Sequence, residues 1–171
     1  ACEETQGTMA VILGVEAAAV EALVAEVALP NDLWIANFNC PGQVVISGTP
    51  KGIEIGTQIA KERGAKRVLP LKVHGAFHSG LMRSAEEQLA PYVQEALLCK
   101  GRSSLVMNVP GALVKEESAI RSYLIQQVTH PVRWEQGVRW MADQGVDLFI
   151  EIGCGTTLSA FNKRIGVAAP T

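Results

Sequence analysis

The chain has 171 residues, of which 48% are hydrophobic, and its formal net charge is −2. This composition favours a folded protein of one ordinary domain or two small ones over a disordered chain. No basic patch of the kind that binds a phosphate backbone is present, so nucleic acid is not an expected partner. No apolar run reaches the roughly 18 residues of a membrane helix, and the polar, acidic start is unlike a signal peptide. We therefore expect no membrane partner.

The first part of the chain, from Met9 to about Val73, predicts the element order β-α-β-β-α-β. The predicted strands span residues 9–14, 33–38, 43–47 and 66–71, and the predicted helices span 15–29 and 50–63. Pro41-Gly42 supplies the turn of a hairpin between the two central strands, and Thr49 and Pro50 are typical of a helix start. This order is that of a ferredoxin-like unit, in which two helices cover one face of a four-stranded antiparallel sheet.

The second part of the chain predicts an α/β organisation with too few strands. Helices are predicted at residues 81–98, 118–129, 132–144 and 158–165, and strands only at 105–107 and 146–152. The segment 146–152 is almost continuously apolar, which is typical of a parallel strand covered on both faces. Two strands do not form a stable sheet alone, and the chain lacks an initiator Met. We therefore expect upstream sequence to supply the remaining strands, with residues 1–8 continuing from it.

A loop histidine is the leading candidate for chemistry. His78 lies in the glycine-containing loop 74–80, at the junction of the two parts, where a cleft would hold reactants. A histidine can act as a general base near neutral pH, but hydrogen bonds of the same ring could equally serve to fix a tight loop. His74 stands four residues earlier, the spacing of a helical metal-binding pair. Gly75 and the lack of a helical pattern argue against such a pair, so no metal site is predicted.

No nucleophile for that histidine is evident in the sequence. The Gly-x-Ser-x-Gly elbow that exposes a catalytic serine is absent from the 171 residues. Ser47 lies inside a predicted strand. Ser79 is adjacent to His78 in sequence, too close for the ring to act as its base. Cys40 and Cys154 lie in glycine-flanked turns without a neighbouring base, so we expect inert thiols, kept reduced in a cytosolic protein.

A glycine-rich turn, Gly-Cys-Gly-Thr-Thr at residues 153–157, lies between a predicted strand and a predicted helix. Such a turn can bind an anion at a helix N-terminus. Here, however, the lysine of a P-loop and the third glycine of a dinucleotide-binding fingerprint are both absent. Close packing of the helix against the strand explains the glycines better, and no cofactor is predicted.

Four segments of the chain, taken together and in order, resemble one known family. The segments are Asn37-Phe-Asn-Cys-Pro-Gly-Gln-Val-Val-Ile-Ser-Gly48, Gly75-Ala-Phe-His-Ser-Gly-Leu-Met82, His130-Pro-Val-Arg-Trp134 and Glu151-Ile-Gly-Cys-Gly-Thr-Thr-Leu158. They resemble the malonyl-CoA:acyl carrier protein transacylases, the acyltransferases of fatty acid synthesis. The resemblance extends over essentially the whole chain.

The resemblance implies a two-part fold and a set of site residues. It implies a ferredoxin-like small subdomain at residues 9–73, followed at 74–171 by the C-terminal part of a larger α/β-hydrolase-like subdomain. His78 falls at the family's catalytic histidine, and Gln127 at the glutamine whose amide carbonyl orients that ring. Asn39 falls at an asparagine that lines the acyl-CoA side of the cleft. The implied partners are malonyl-CoA and holo-acyl carrier protein.

The chain departs from the family pattern mainly in what it lacks. The family's Gly-Gln-Gly oxyanion loop, its Gly-His-Ser-Leu-Gly serine motif and its malonyl-binding arginine have no counterpart in the 171 residues, and Cys154 stands at a usual proline. The resemblance thus implies the C-terminal part of an acyltransferase, inactive without its missing N-terminal part. The alternatives are a non-catalytic module whose ferredoxin-like unit binds a carrier protein and, last, a metal-dependent hydrolase built on His74 and His78.

Overall fold

A five-stranded sheet lies at the centre of the computed structural model, which describes residues 6–99 and 101–171. The described strands are β1 (Thr8–Leu13), β2 (Leu33–Cys40), β3 (Gln43–Gly48), β4 (Arg67–Pro70), β5 (Leu105–Met107), β6 (Ala112–Val114) and β7 (Val132–Arg133). The central sheet has the order β4-β1-β3-β2-β7, while β5 and β6 form a separate hairpin. The pairs among β1 to β4 are antiparallel, whereas β7 lies parallel to β2.

Six α-helices accompany these strands in the described part of the chain. They are α1 (Ala17–Val27), α2 (Pro50–Glu62), α3 (Arg83–Glu95), α4 (Glu117–Gln126), α5 (Trp134–Asp143) and α6 (Thr157–Ile165), and a 3-10 helix at Gly80–Met82 precedes α3. The predicted order β-α-β-β-α-β is confirmed by β1-α1-β2-β3-α2-β4. Thr49 caps α2 as predicted, because its hydroxyl accepts a hydrogen bond from the Gly52 amide at 3.0 Å and donates one to the Asp32 carboxylate at 2.9 Å.

The two faces of the central sheet bury different apolar residues. The face covered by α1 and α2 holds a cluster that includes Ala10, Ile12, Val20, Leu23, Leu33, Phe38, Val44, Ile46, Ile53 and Ala60. The opposite face buries Met9, Val11, Ala36 and Val45. Successive side chains of a strand point to opposite faces, so the buried residues of β1 divide alternately between the two clusters.

The strand β7 corrects the prediction of a helix from residue 132 onward. Val132 and Arg133 pair in parallel with Asn37 and Phe38 of β2. The β-branched Val132 suits a strand, and β2 supplies the neighbouring strand with which it pairs. The Arg133 guanidinium lies 5.1 Å from the centre of the Phe38 ring, a cation–π contact that strengthens the pairing. The sheet therefore has five strands rather than the four predicted.

Only one strand of the β5–β6 hairpin was predicted from the sequence. The strand at Leu105–Met107 is confirmed, but its partner β6 was not predicted. The turn between them contains Gly111, whose φ is 60°. A Cβ atom there would lie 2.9 Å from the Cβ atoms of both Arg133 and Gln136, so only glycine lets the turn approach the start of α5.

The prediction of a strand at residues 146–152 is wrong for the described chain: these residues belong to no strand. Phe149 packs inward against the small core beneath α5 and α6. Its amide donates to the Pro170 carbonyl at 2.9 Å. Leu148, Ile150 and Ile152 face outward and are 55%, 75% and 93% exposed. A strand is defined by pairing, and among the described residues no strand pairs with this segment.

The predicted boundary between residues 9–73 and 74–171 stays a prediction. Residues 1–5 of the predicted leading segment 1–8 lie outside the described residues. Among the residues described, none of the helices is long and apolar enough to cross a membrane.

Candidate active site

His78 lies in the loop between β4 and α3 with its backbone in the left-handed region, at φ 59°. This conformation costs a residue with a side chain about 1–2 kcal/mol, so the surrounding structure must hold it. The neighbouring Ser79 does part of this: it is fully buried, and its hydroxyl donates to the Ala76 carbonyl at 2.5 Å and accepts from the Leu81 amide at 3.2 Å. The loop therefore fixes the backbone of the histidine.

The imidazole of His78 makes two hydrogen bonds through one nitrogen. Its Nδ1 lies 2.8 Å from the main-chain oxygen of Gln127 and 3.1 Å from that of His130. A carbonyl oxygen only accepts, so Nδ1 must carry the hydrogen and donate it. A neutral ring protonated on Nδ1 has its lone pair on Nε2. The half-buried ring is thus held in the tautomer whose Nε2 can accept a proton.

Gln127 contributes to this arrangement through its main chain. Its side-chain amide instead donates to the Leu124 carbonyl at 3.1 Å. The carbonyl that contacts His78 belongs to the C-cap residue that follows α4. Main-chain oxygens at such a helix end have no helical partner and carry partial negative charge.

Sequence reasoning missed the carbonyl of His130. Its oxygen is the second acceptor for His78, although its own side chain is exposed. The signal that could have indicated it is Pro131: the residue before a proline rarely continues a helix, so its carbonyl is free to face elsewhere.

Asn39 is the third predicted site residue. It is buried, with 9% of its surface exposed, near the end of β2. In the parallel pair, Asn37 lies opposite Val132, so Asn39 follows this point whereas His130 precedes it. The two residues lie toward opposite ends of the pair, and no hydrogen bond in the described chain joins Asn39 to His78. The role of Asn39 in the site stays a prediction.

The other reactive side chains are poor nucleophiles. Ser47 is fully buried inside β3. Burial raises the pKa of the Cys40 thiol, an effect that the nearby Arg164 only partly opposes. Cys154 and His74 are exposed. Across residues 6–99 and 101–171, no group of three metal-ligating side chains comes together.

The start of α6, just after the glycine-rich turn at 153–157, binds a carboxylate of the chain itself. The Glu151 carboxylate accepts hydrogen bonds from the Leu158 amide at 3.0 Å, the Ser159 amide at 2.9 Å and the Ser159 hydroxyl at 2.6 Å. These donors, the Ser159 hydroxyl first, lower the pKa of Glu151 below its ordinary value. Glu151 thereby occupies the N-terminus of α6. The prediction that close packing explains the glycines is wrong: a Cβ atom at Gly153 or Gly155 would meet no atom within 4 Å, and their φ angles of 146° and 89° are what favour glycine.

Replacing Glu151 by glutamine should destabilise the fold at neutral pH, because the variant loses the negative charge at the helix N-terminus. The folded-state pKa lies below that of the unfolded chain, so this stabilisation is present above the ordinary range of a glutamate and is lost as the pH falls through the lowered value. The free energy of unfolding, measured with urea, should be lower for Glu151→Gln than for the wild type at pH 7, and the two values should converge in acid. Glu87→Gln, at an exposed glutamate, is the control for the loss of a surface charge. If the stability difference between wild type and Glu151→Gln were as large in acid as at pH 7, the assignment would be contradicted.

Two surface cavities lie away from His78. One, of about 450 Å³, lies between α6 and residues 167–171. The other, of about 370 Å³, lies between α3 and α4 and includes Arg121. Because neither is lined by the histidine, a reactant at Nε2 would not be enclosed by them.

Comparison with known proteins identifies relatives of the chain. No family model matches it. A "Malonyl CoA-acyl carrier protein transacylase" of Bacillus subtilis (strain 168) is 41% identical over 161 residues, which are 94% of this chain and 51% of the relative. A protein of the same name from Staphylococcus aureus (strain COL) is 37% identical over 160 residues, 93% of this chain and 52% of that relative. The chain is homologous to these transacylases.

Solved transacylase structures match the fold as well. An acyl carrier protein S-malonyltransferase from Vibrio cholerae gives a TM-score of 0.90 at 36% identity, covering 96% of this chain and 54% of that one. A malonyl-transacylase solved in complex with its type II PKS acyl-carrier protein gives a TM-score of 0.90 at 35% identity, covering 96% and 53%. The predicted resemblance to the transacylase family is confirmed, and the chain spans about half the length of the curated relatives it matches.

Proposed function

We propose that the chain supplies the general base of a malonyl-CoA:acyl carrier protein transacylase, and that this base is Nε2 of His78. The observation that carries the proposal is the pair of carbonyl hydrogen bonds that hold Nδ1 protonated. A base that must accept a proton on one nitrogen needs the other fixed as a donor, the task of the aspartate in a Ser-His-Asp triad. Two main-chain oxygens, one of them from Gln127, perform that task here.

The reaction needs a serine that the 171 residues do not present in a nucleophile elbow. A further polypeptide segment supplies it. Nε2 removes the serine hydroxyl proton as the oxygen attacks the thioester of malonyl-CoA, and returns that proton to the departing CoA sulfur. The acyl-serine then passes malonyl to the phosphopantetheine thiol of holo-acyl carrier protein by the same steps in reverse order. Asn39 contributes on the acyl-CoA side, as the family resemblance implies.

The same proposal gives each part of the chain a place in the enzyme. Residues 9–73 form a ferredoxin-like small subdomain, supported by the antiparallel order β4-β1-β3-β2 with α1 and α2 on one face. Residues 74–171 belong to an α/β-hydrolase-like subdomain. The exposed apolar side chains of 146–152 support this, because they fit a strand whose neighbours come from another segment.

Reconstitution tests the proposal. The chain is co-produced with the part of the Bacillus subtilis relative that lies outside the matched 161 residues, and this assembly is called the complemented enzyme. We expect it to transfer malonyl from malonyl-CoA to holo-acyl carrier protein, whereas the chain alone transfers none. A soluble complex that binds the carrier protein but forms no acyl-enzyme would favour the non-catalytic module instead.

A further inference from the structure

Two segments distant in sequence build the surroundings of His78, and a second side-chain contact joins them besides the hydrogen bonds of His78 itself. The first segment carries the histidine and leads into α3. The second is the turn at residues 127–130, whose carbonyls accept from Nδ1. The Thr129 hydroxyl in this turn donates to the Glu86 carboxylate in the first turn of α3.

Thr129 is placed to control the turn. It is buried, with 8% of its surface exposed, and it lies between the two residues that provide the carbonyls. Its hydroxyl also lies 3.0 Å from Nδ1 of His130, which in turn lies 2.9 Å from the Gln126 carbonyl. The single hydroxyl thus joins α3 to the turn from within, where competition by water is weak.

Glu86 is placed to transmit position to His78. Its side chain is 14% exposed, and Arg83 lies 3.6 Å from its second oxygen. Between Glu86 and His78 the chain runs through the 3-10 helix that the buried Ser79 caps. Because this connection is short and hydrogen-bonded, a fixed Glu86 fixes the histidine loop relative to the turn.

We propose that Glu86 and Thr129 are positioning residues for His78: their hydrogen bond holds the carbonyls of residues 127 and 130 at the distance that keeps Nδ1 protonated. This inference rests on the proposed function for its catalytic meaning. Another set of hydrogen bonds, between α4 and α3, serves as the comparison, because its role is purely structural. Arg121 of α4 donates to the Val93 and Gln94 carbonyls near the other end of α3, at 2.5 and 3.0 Å.

The test reads the tautomer of His78 directly. The full chain is labelled with ¹⁵N-histidine, the His78 signal is identified from His78→Ala, and the tautomer ratio and the exchange rate of the Nδ1 hydrogen are measured by NMR. Thr129→Val removes the hydroxyl and keeps the shape. We expect the Nδ1-protonated fraction relative to the Nε2-protonated one to fall about tenfold or more, as for a lost charge-assisted hydrogen bond.

Matched variants separate positioning from stability. Thr129→Ser should retain the wild-type tautomer, since it restores the hydroxyl. Arg121→Met should lower the urea midpoint but leave the tautomer unchanged. If Thr129→Val does not fold, Glu86→Ala removes the acceptor from the other side and must give the same tautomer shift. A folded Thr129→Val or Glu86→Ala chain with a wild-type tautomer ratio would overturn the proposal.

Kinetics of the complemented enzyme then distinguish this inference from the proposed function. Thr129→Val should lower kcat for acylation about tenfold with little change in KM, and Thr129→Ser should restore it. If the unsubstituted assembly forms no acyl-enzyme, the proposed function fails, while the tautomer shift still decides whether Glu86 and Thr129 position the ring. A tautomer shift in Thr129→Val with an unchanged kcat would overturn the catalytic part of the inference alone.

Discussion

Replacing His78 by alanine should lower the rate of acyl-enzyme formation in the complemented enzyme by roughly 10²–10⁴-fold, the usual contribution of a positioned general base. The expectation follows from the two carbonyls that hold Nδ1 as a donor and leave Nε2 free to take a proton. The measurement is the burst of CoA release from malonyl-CoA in rapid mixing.

His74→Ala is the matched control, since this histidine lies four residues away in the same loop and is exposed. It should acylate at the wild-type rate. Gln127→Ala should cost little, because the substitution keeps the main-chain carbonyl and removes only a side-chain bond to Leu124. If His74→Ala lost most of its acylation rate while His78→Ala acylated at the wild-type rate, the wrong histidine would have been assigned.

The first part of the fold was predictable because its signals are local. Pro41-Gly42 makes a hairpin turn with glycine at φ 68°, and Thr49 with Pro50 starts a helix whatever surrounds it. The continuous apolar run at residues 9–13 predicts a strand that is buried on both faces. Each of these choices depends on neighbours within a few residues, so no knowledge of the rest of the molecule was needed.

The second part of the fold depends on contacts between residues that are distant in sequence, and these leave no local pattern. β7 forms only because β2 lies beside it. The segment 146–152 stays unpaired because none of the described strands lies beside it. The candidate site shows the same limit at atomic scale. The family resemblance indicates His78 and Gln127. It does not indicate that the main-chain oxygen of Gln127 accepts the hydrogen bond from Nδ1 of His78. The bond between Glu86 and Thr129 spans 43 residues and leaves no local pattern.

The exposed apolar face of residues 146–152 should make the chain associate when it is produced alone. We define this outer face as Leu148, Ile150 and Ile152, with exposed fractions from 55% to 93%. Apolar side chains on an extended, unpaired segment favour contact with a second copy, because burial of each contributes about 1.5–3 kcal/mol. Sedimentation velocity of the chain alone should therefore show dimers or larger species.

The double substitution Leu148→Lys and Ile150→Lys should return the isolated chain toward a monomer, weakening association by about 100-fold or more. Leu69→Lys is the control: Leu69 is a 44% exposed leucine on β4, outside the outer face, and its replacement should leave the association unchanged. In the complemented enzyme the same double variant should lose assembly and acyl transfer together, since it would bury two charges among the partner's strands. A monodisperse wild-type chain, or a double variant that still assembles and transfers malonyl, would show that residues 146–152 do not receive those strands.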